Sequence, residues 1–417
     1  MGTMLNYLEK YGKYTFQEMP MTDVDSLALC QLAYLKFDGM VLGQEAAART
    51  LEGLEAVDEG QAVTLESLKE HPDFEKLFAD VRYEKANRAL YQGMIQGERF
   101  RNLRLNYYVN VIEEQWETQF SAVTFTLGDG SHYVAFRGTD ETIVGWKEDF
   151  NMAFLSPVPG QAYSTEYLNR VAGKFAGAFY VGGHSKGGNL AVYSAMTCQP
   201  DYQERIQKIY SMDGPGFRPE VLEKCGYDRI SDRVVKILPH SSLVGMIFES
   251  DMYFQVVKSK TIGLLQHDPY TWQVEGNHLA WAHGLYEHRK EMDNTLNEWI
   301  LSLNEQQLRT FVDTLYQVIT ASQADNLIDF TAEWKKSMNG VIAALKEVDE
   351  ETVEILKEVI RSLFEIARAN RRKQVVSLRQ AISQKRSDLQ KRAASRTERG
   401  VERMVLGQKK REQPENA

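Results

Sequence analysis

Cysteine is scarce: Cys30, Cys198 and Cys225 are the three in a chain of 417 residues. An odd number without a C-x-x-C pair argues against a disulfide framework and against a cysteine zinc site, and a reducing, cytoplasmic setting is expected. Long apolar runs are missing as well. No stretch approaches the ~18–20 apolar residues of a bilayer span. The opening segment MGTMLNYLEKYGKYTF lacks the basic-then-apolar order of a secretion signal. An integral membrane protein and a secreted one are both disfavoured. With 43% apolar and 26% charged residues, disorder throughout is excluded. The length points to two domains, or to one large domain with appendages, at roughly 100–200 residues per domain.

Acidic residues run short in one place only. Between Arg368 and Arg411 fifteen Lys/Arg stand against Asp388, Glu398 and Glu402, a net of +12 within a chain whose total is −9, so the remainder carries −21. So acidic a body does not favour nucleic acid, and any polyanion would meet the tail. The simplest reading of the tail is a solvated helix. Its functional reading is contact with an anionic membrane surface, at ~1 kcal/mol per Lys/Arg near that surface.

Residues 20–100 have helical periodicity, with Val24, Leu27, Leu29, Leu32 and Leu35 on one stripe. From 103 to 137 the period changes to two. Val123, Phe125 and Leu127 alternate, Gly128-Asp129-Gly130 signals a turn and Tyr133–Phe136 resumes, which predicts a β-hairpin. Helical patterns at 143–153, 163–175 and 186–197 then alternate with short apolar runs at 178–182, 206–212, 234–238 and 253–258. That alternation implies βαβ crossovers and a mostly parallel sheet. No strand signal survives beyond about 277; residues 290–320 are helical, and Val353, Leu356, Leu363 and Ala367 mark a stripe on a long helix. The expected organisation is an N-terminal helical segment packed on the core (1–100), an α/β core (101–290), a helical appendage (291–367) and a basic tail (368–417).

The run Phe179–Ala191 carries Gly183-His184-Ser185-Lys186-Gly187, a G-x-S-x-G pattern between an apolar strand and a helix. A nucleophile on a sharp strand-to-helix turn needs small neighbours, and the helix N-terminus then faces the oxygen that becomes negative. A bystander serine in a glycine-rich turn is the competing reading. Upstream, Phe136-Arg137-Gly138-Thr139-Asp140 ends a strand and is followed by Gly145-Trp146-Lys147-Glu148-Asp149-Phe150. In an α/β-hydrolase layout that loop supplies one oxyanion donor, here Thr139, and the residue after the nucleophile, Lys186, supplies the other through its backbone N–H.

These segments in this order resemble the class 3 lipase branch of the α/β-hydrolases. More closely, with Asp213-Gly214-Pro215-Gly216-Phe217 and Gln266-His267-Asp268-Pro269-Tyr270-Thr271-Trp272, the chain resembles bacterial proteins described as Mbeg1-like or DUF2974. The resemblance spans residues 10–290 and implies an α/β-hydrolase fold and a lipase- or esterase-like activity on a small-molecule or lipid ester. It implies no metal and no organic cofactor.

A serine hydrolase of this layout needs, after the serine, an acid and a histidine. His71 and His132 precede Ser185, and His184 adjoins it and is expected to point away. Of the rest, His267 lies in a turn-rich segment after the last strand and is chosen as base, with His240 in reserve. His278, His283 and His288 are five apart, a spacing that does not put them on one helix face for a metal. For the acid, the resemblance expects a carboxylate after the next strand, yet Leu238–Gly245 has none. Asp213 takes the role, with Asp251 as the alternative and a plain turn-forming aspartate as the competing reading. Two other classes of function stay open: an inactive hydrolase scaffold that binds a partner, and a binder of anionic lipid or nucleic acid through the basic tail. The oligomeric state is not legible.

Overall fold

The computed structural model describes residues 1–41, residues 62–284 except 80, 82, 114–117, 140–151, 153–155, 243, 248–252 and 262, and eight positions between 298 and 310. The chain divides into two units, Met1–Val359 and Ile360–Ala417. The basic tail, the stripe expected at 353–367 and nearly all of the helix expected at 143–153 lie outside the described residues. No described helix is long and apolar enough to cross a membrane.

One sheet of eight strands organises the first unit: β1 Val63–Thr64, β2 Arg104–Glu113, β3 Thr118–Thr126, β4 His132–Phe136, β5 Phe179–His184, β6 Ile206–Met212, β7 Val234–Pro239 and β8 Phe254–Val257. Their order in space is their order in sequence. The pairs from β1 to β4 are antiparallel, and those from β4 to β8 are parallel. The change follows from the connections. β3 and β4 are joined by a short loop in which Leu127 N donates to Ser131 O and Gly130 takes φ +83°, so they form the expected hairpin. Parallel neighbours require a crossover, and helices return the chain after β4 and β5. These helices are Pro159–Lys174 and Lys186–Thr197. Across residue 277, beyond which no strand signal survives in the sequence, a minimal antiparallel pair joins Val274–Glu275 to His278–Leu279. Two residues per strand are too few to show a period.

Side chains alternate across a strand, and each sheet face has its own core. Tyr133 and Ala135 of β4 and Tyr210 and Met212 of β6 pack with helices α1 (Met4–Tyr11), α2 (Asp23–Leu32) and α3 (Glu84–Gln96). Val134 and Phe136 of β4 and Ile209 of β6 pack with the crossover helices, here α4 (Pro159–Lys174) and α5 (Lys186–Thr197). Helix α2 starts on a capping box, in which Thr22 Oγ1 accepts from Asp25 N while Asp25 Oδ2 accepts from Thr22 N at 2.8 Å. The same buried carboxylate takes Arg99 through two contacts of 2.7 and 2.5 Å and the Tyr7 hydroxyl at 2.8 Å. Arg99 also donates to the carbonyls of Tyr14, Thr15, Met19 and Pro20.

Candidate active site

The serine of the G-x-S-x-G pattern is the residue between β5 and α5, with φ +59° and ψ −131°. A β-carbon residue at positive φ costs of order 1–3 kcal/mol and persists only where its surroundings impose it. Here the surroundings are backbone on backbone. A Cβ on Gly183 would stand 2.2 Å from the Gly187 carbonyl carbon, and one on Gly187 would stand 2.1 Å from Phe136 O. The two flanking glycines therefore let the end of β4, the elbow and the first turn of α5 touch. Ser185 N donates to Met212 O at 2.9 Å, which holds the elbow to the end of β6.

Both expected oxyanion donors lie at this junction. Thr139, half-buried, follows Gly138, whose added Cβ would come 3.1 Å from Ser185 Cβ. Lys186 opens α5, where first-turn N–H groups have no intrahelical acceptor. Its side chain turns away, fully buried, and Nζ donates to Gln119 O at 2.8 Å. Arg137 is buried and donates to Asn110 Oδ1 at 2.9 Å.

Asp213 and His267 are in direct contact. Asp213 follows β6 with φ +51°, and its N–H donates to Ile237 O on β7. Its carboxylate is fully buried, and Oδ2 lies 2.6 Å from His267 Nδ1. The other oxygen accepts from Ser242 Oγ at 2.5 Å, and Ser242 accepts in turn from Gly245 N at 3.1 Å. Thus the end of β7, where an acid is expected and no carboxylate stands, holds the serine that supports the carboxylate one strand earlier. No sequence pattern marks Ser242 for that task beyond its place after β7.

His267 closes a 3-10 turn, Gly263–His267. The turn is held by Gln266, whose Oε1 accepts from Ser241 N at 2.8 Å and whose carbonyl accepts from Trp272 Nε1 at 2.8 Å. Trp272 is fully buried and packs in the core shared with the N-terminal helices. Tyr270 donates to Asn87 Oδ1 on α3, and burial raises its pKa well above the ordinary value. His240, the reserve base, is half-buried after β7; burial and the Lys258 ammonium lower its pKa, and Asp213 is instead occupied by His267 and Ser242. Asp251 and the segment Gly145–Phe150 lie outside the described residues.

His184, expected to point away from Ser185, has its ring against the N-terminal segment and His267. Its ring lies 4.6 Å from that of His267 at 36°, and Nε2 is 2.9 Å from His267 O. The last residue of β5 turns its side chain toward the N-terminal helices, and the His267 turn lies on that same side. Among the described residues no group of three or more His, Cys, Asp or Glu is arranged to hold a metal. A cavity of about 300 Å³ lies beside α5, lined among others by Met152, Gln161, Asn189, Tyr193, Phe217 and Arg218. Asn189 is one helical turn from Ser185, about 6 Å along the axis.

A family model described as Mbeg1-like matches residues 94–317, slightly more than half of the chain. No curated protein matches its sequence significantly. Among solved structures the chain is similar to the Rhizomucor miehei lipase in its propeptide complex, at 15% identity and a TM-score of 0.28, covering 42% of this chain and 61% of that one. It is similar also to the M37 lipase, at 12% identity and a TM-score of 0.32, covering 54% and 69%. The chain thus spans about 61% of the length of the Rhizomucor lipase.

Proposed function

The chain belongs to the Mbeg1-like family, and we propose that it is a serine hydrolase that cleaves an acyl ester through a covalent acyl-enzyme. The observation that carries this reading is the 2.6 Å contact of His267 Nδ1 with the buried Asp213 carboxylate, on the same strand ends as a serine at positive φ. A neutral imidazole has one N–H. With that N–H on Nδ1, facing the carboxylate, Nε2 is the basic nitrogen.

His267 Nε2 takes the proton of Ser185 Oγ as the oxygen attacks the acyl carbonyl carbon. The oxyanion so formed is met by the backbone N–H groups of Thr139 and Lys186. Collapse breaks the ester C–O bond, and the departing alcohol receives the proton from His267. Water, giving its proton to the same imidazole, attacks the acyl-enzyme and frees the carboxylic acid and the serine hydroxyl. Asp213 orients the ring throughout and stabilises its charged form. The cavity beside Asn189 and Phe217 is the candidate acyl pocket, at the lower end of the ~300–1,000 Å³ range of ligand sites.

The test is covalent labelling by a fluorophosphonate probe. Wild-type protein is expected to label at one site, Ser185→Ala not at all, and His267→Ala at least about 10³-fold more slowly, each variant remaining folded by circular dichroism. Folded wild type that stays unlabelled, with and without detergent or anionic vesicles, overturns the reading in favour of a scaffold.

A further inference from the structure

The N-terminal segment reaches this site through Tyr34, which follows α2 and lies outside the 94–317 family match. Its hydroxyl is 3.1 Å from His184 Nδ1, and His184 Nε2 is 2.9 Å from the main-chain oxygen of His267. A carbonyl only accepts, so the His184 proton sits on Nε2. In the neutral ring Nδ1 is then the acceptor for the Tyr34 O–H. The arrangement also accounts for the glycine of Phe-Arg-Gly-Thr. A Cβ on Gly138 would stand 2.2 Å from the Tyr34 hydroxyl and 2.5 Å from His184 O.

Resting on the serine-hydrolase reading, we propose that His184 and Tyr34 are positioning residues for the catalytic base. Asp213 grips the His267 ring; His184 grips its main chain. The grip comes from the residue next to the nucleophile, so Ser185 and His267 are referenced to each other through a single peptide unit and one hydrogen bond. Tyr34, bonded to Nδ1, holds the rotation of the His184 ring, and with it the direction of the Nε2–H. The N-terminal helical segment is in this way part of the active site although it supplies no reacting group. The base itself sits on a turn rather than on a strand or long helix, which is where such a brace has the most to fix.

The test measures how fast the fluorophosphonate modifies Ser185 as a function of probe concentration, separating the maximal rate from the apparent affinity. The variants are His184→Ala, His184→Gln (whose amide retains an N–H donor) and Tyr34→Phe, each checked for wild-type thermal unfolding. A displacement near 1 Å costs on the order of 10²-fold. The maximal rate of His184→Ala is therefore expected to fall about 10- to 100-fold with affinity changed less than twofold. His184→Gln recovers part of that loss, and Tyr34→Phe loses about 3- to 10-fold. The low-field proton resonance of His267 Nδ1–H is expected to broaden or shift in His184→Ala. A folded His184→Ala that reacts at the wild-type rate with that resonance unmoved overturns the proposal alone. Wild-type protein that never reacts overturns it together with the hydrolase reading.

Discussion

The two faces of the sheet are covered in different ways. Helices α4 and α5 are crossovers, put there by the connections between parallel strands, and beneath them an apolar core is joined by buried contacts such as Gln161 Nε2 to Asn189 Oδ1 at 2.8 Å and the Tyr167 hydroxyl to Tyr107 O at 2.8 Å. Helices α1 to α3 precede the main strands, and no crossover compels them to lie on the sheet. Their face has an apolar core too, and its buried polar contacts include a buried ion pair: Asp25 with Arg99 and Tyr7, Ser26 Oγ with Tyr133 at 2.6 Å, and Tyr34 with His184. Apolar burial is non-directional, whereas hydrogen bonds specify one arrangement. Both faces carry such bonds: on the crossover face they add to a placement that topology already gives, and on the other, which also buries an ion pair, they fix where the helices sit.

The largest expected effect tests that contrast directly. Arg99→Met leaves the Asp25 carboxylate buried without its cation, and unfolding by urea is expected to show a loss of about 3–5 kcal/mol. Adding Asp25→Leu recovers only part, because the carbonyls of Tyr14, Thr15, Met19 and Pro20 stay unmet. Leu190→Ala in the crossover core costs ~2–5 kcal/mol by cavity formation and has no polar partner whose replacement restores it. If Arg99→Met proves no more harmful than a surface substitution, the polar contacts do not hold the N-terminal face.

A finer comparison uses the cysteines, since the two buried thiols lie one on each face. Cys30 lies in the N-terminal core and Cys198 in the crossover core, and burial pushes both thiols up to about 12. Half-buried Cys225 is expected to react with Ellman's reagent first, and the other two only as their faces open. Arg99→Met should accelerate Cys30 and leave Cys198 unchanged; equal acceleration of both would mean that the faces open as one.

The smallest effect is acidic. His132 on β4 stacks on Phe175 at 4.3 Å, and burial lowers its pKa, ahead of the Arg205 charge. The unfolded chain therefore binds more protons than the folded one between the lowered pKa and the ordinary value near 6.5. Stability contributed by neutral His132 is complete above that value and is lost as the pH falls below it. Urea midpoints at pH 7 and pH 5 are expected to drop further for wild type than for His132→Gln.

The parts legible in the sequence are those fixed by short-range rules. The hairpin at Gly128–Gly130, strands β6 and β7 and the elbow with its helix follow from period and punctuation within ten residues or so. Asp213 was only one of two readings of the same residue, because its meaning depends on Ser242 and His267, 29 and 54 positions away. The contact of His184 with His267 is not legible, because alternation along β5 says which face a side chain takes but not what waits there. Tyr34 had no signal at all. The polar contacts of the N-terminal face share that character, since each joins residues whose nearness arises only once the sheet exists.

The order of the strands bears on how the molecule comes to exist. Every strand pairs with the next one along the chain, so no pairing has to wait for a distant segment to be threaded between two others. Hairpins close in about 1–10 μs, and the β3–β4 hairpin can seed a sheet that lengthens strand by strand toward β8, with residues 137–178 between β4 and β5 as the longest closure of that extension. A chain emerging from the ribosome meets the reverse problem: α1 and α2 are made before any strand they cover. They must remain uncommitted until β4 to β6 arrive, which makes the first hundred residues the part of the nascent chain most exposed to capture by chaperones.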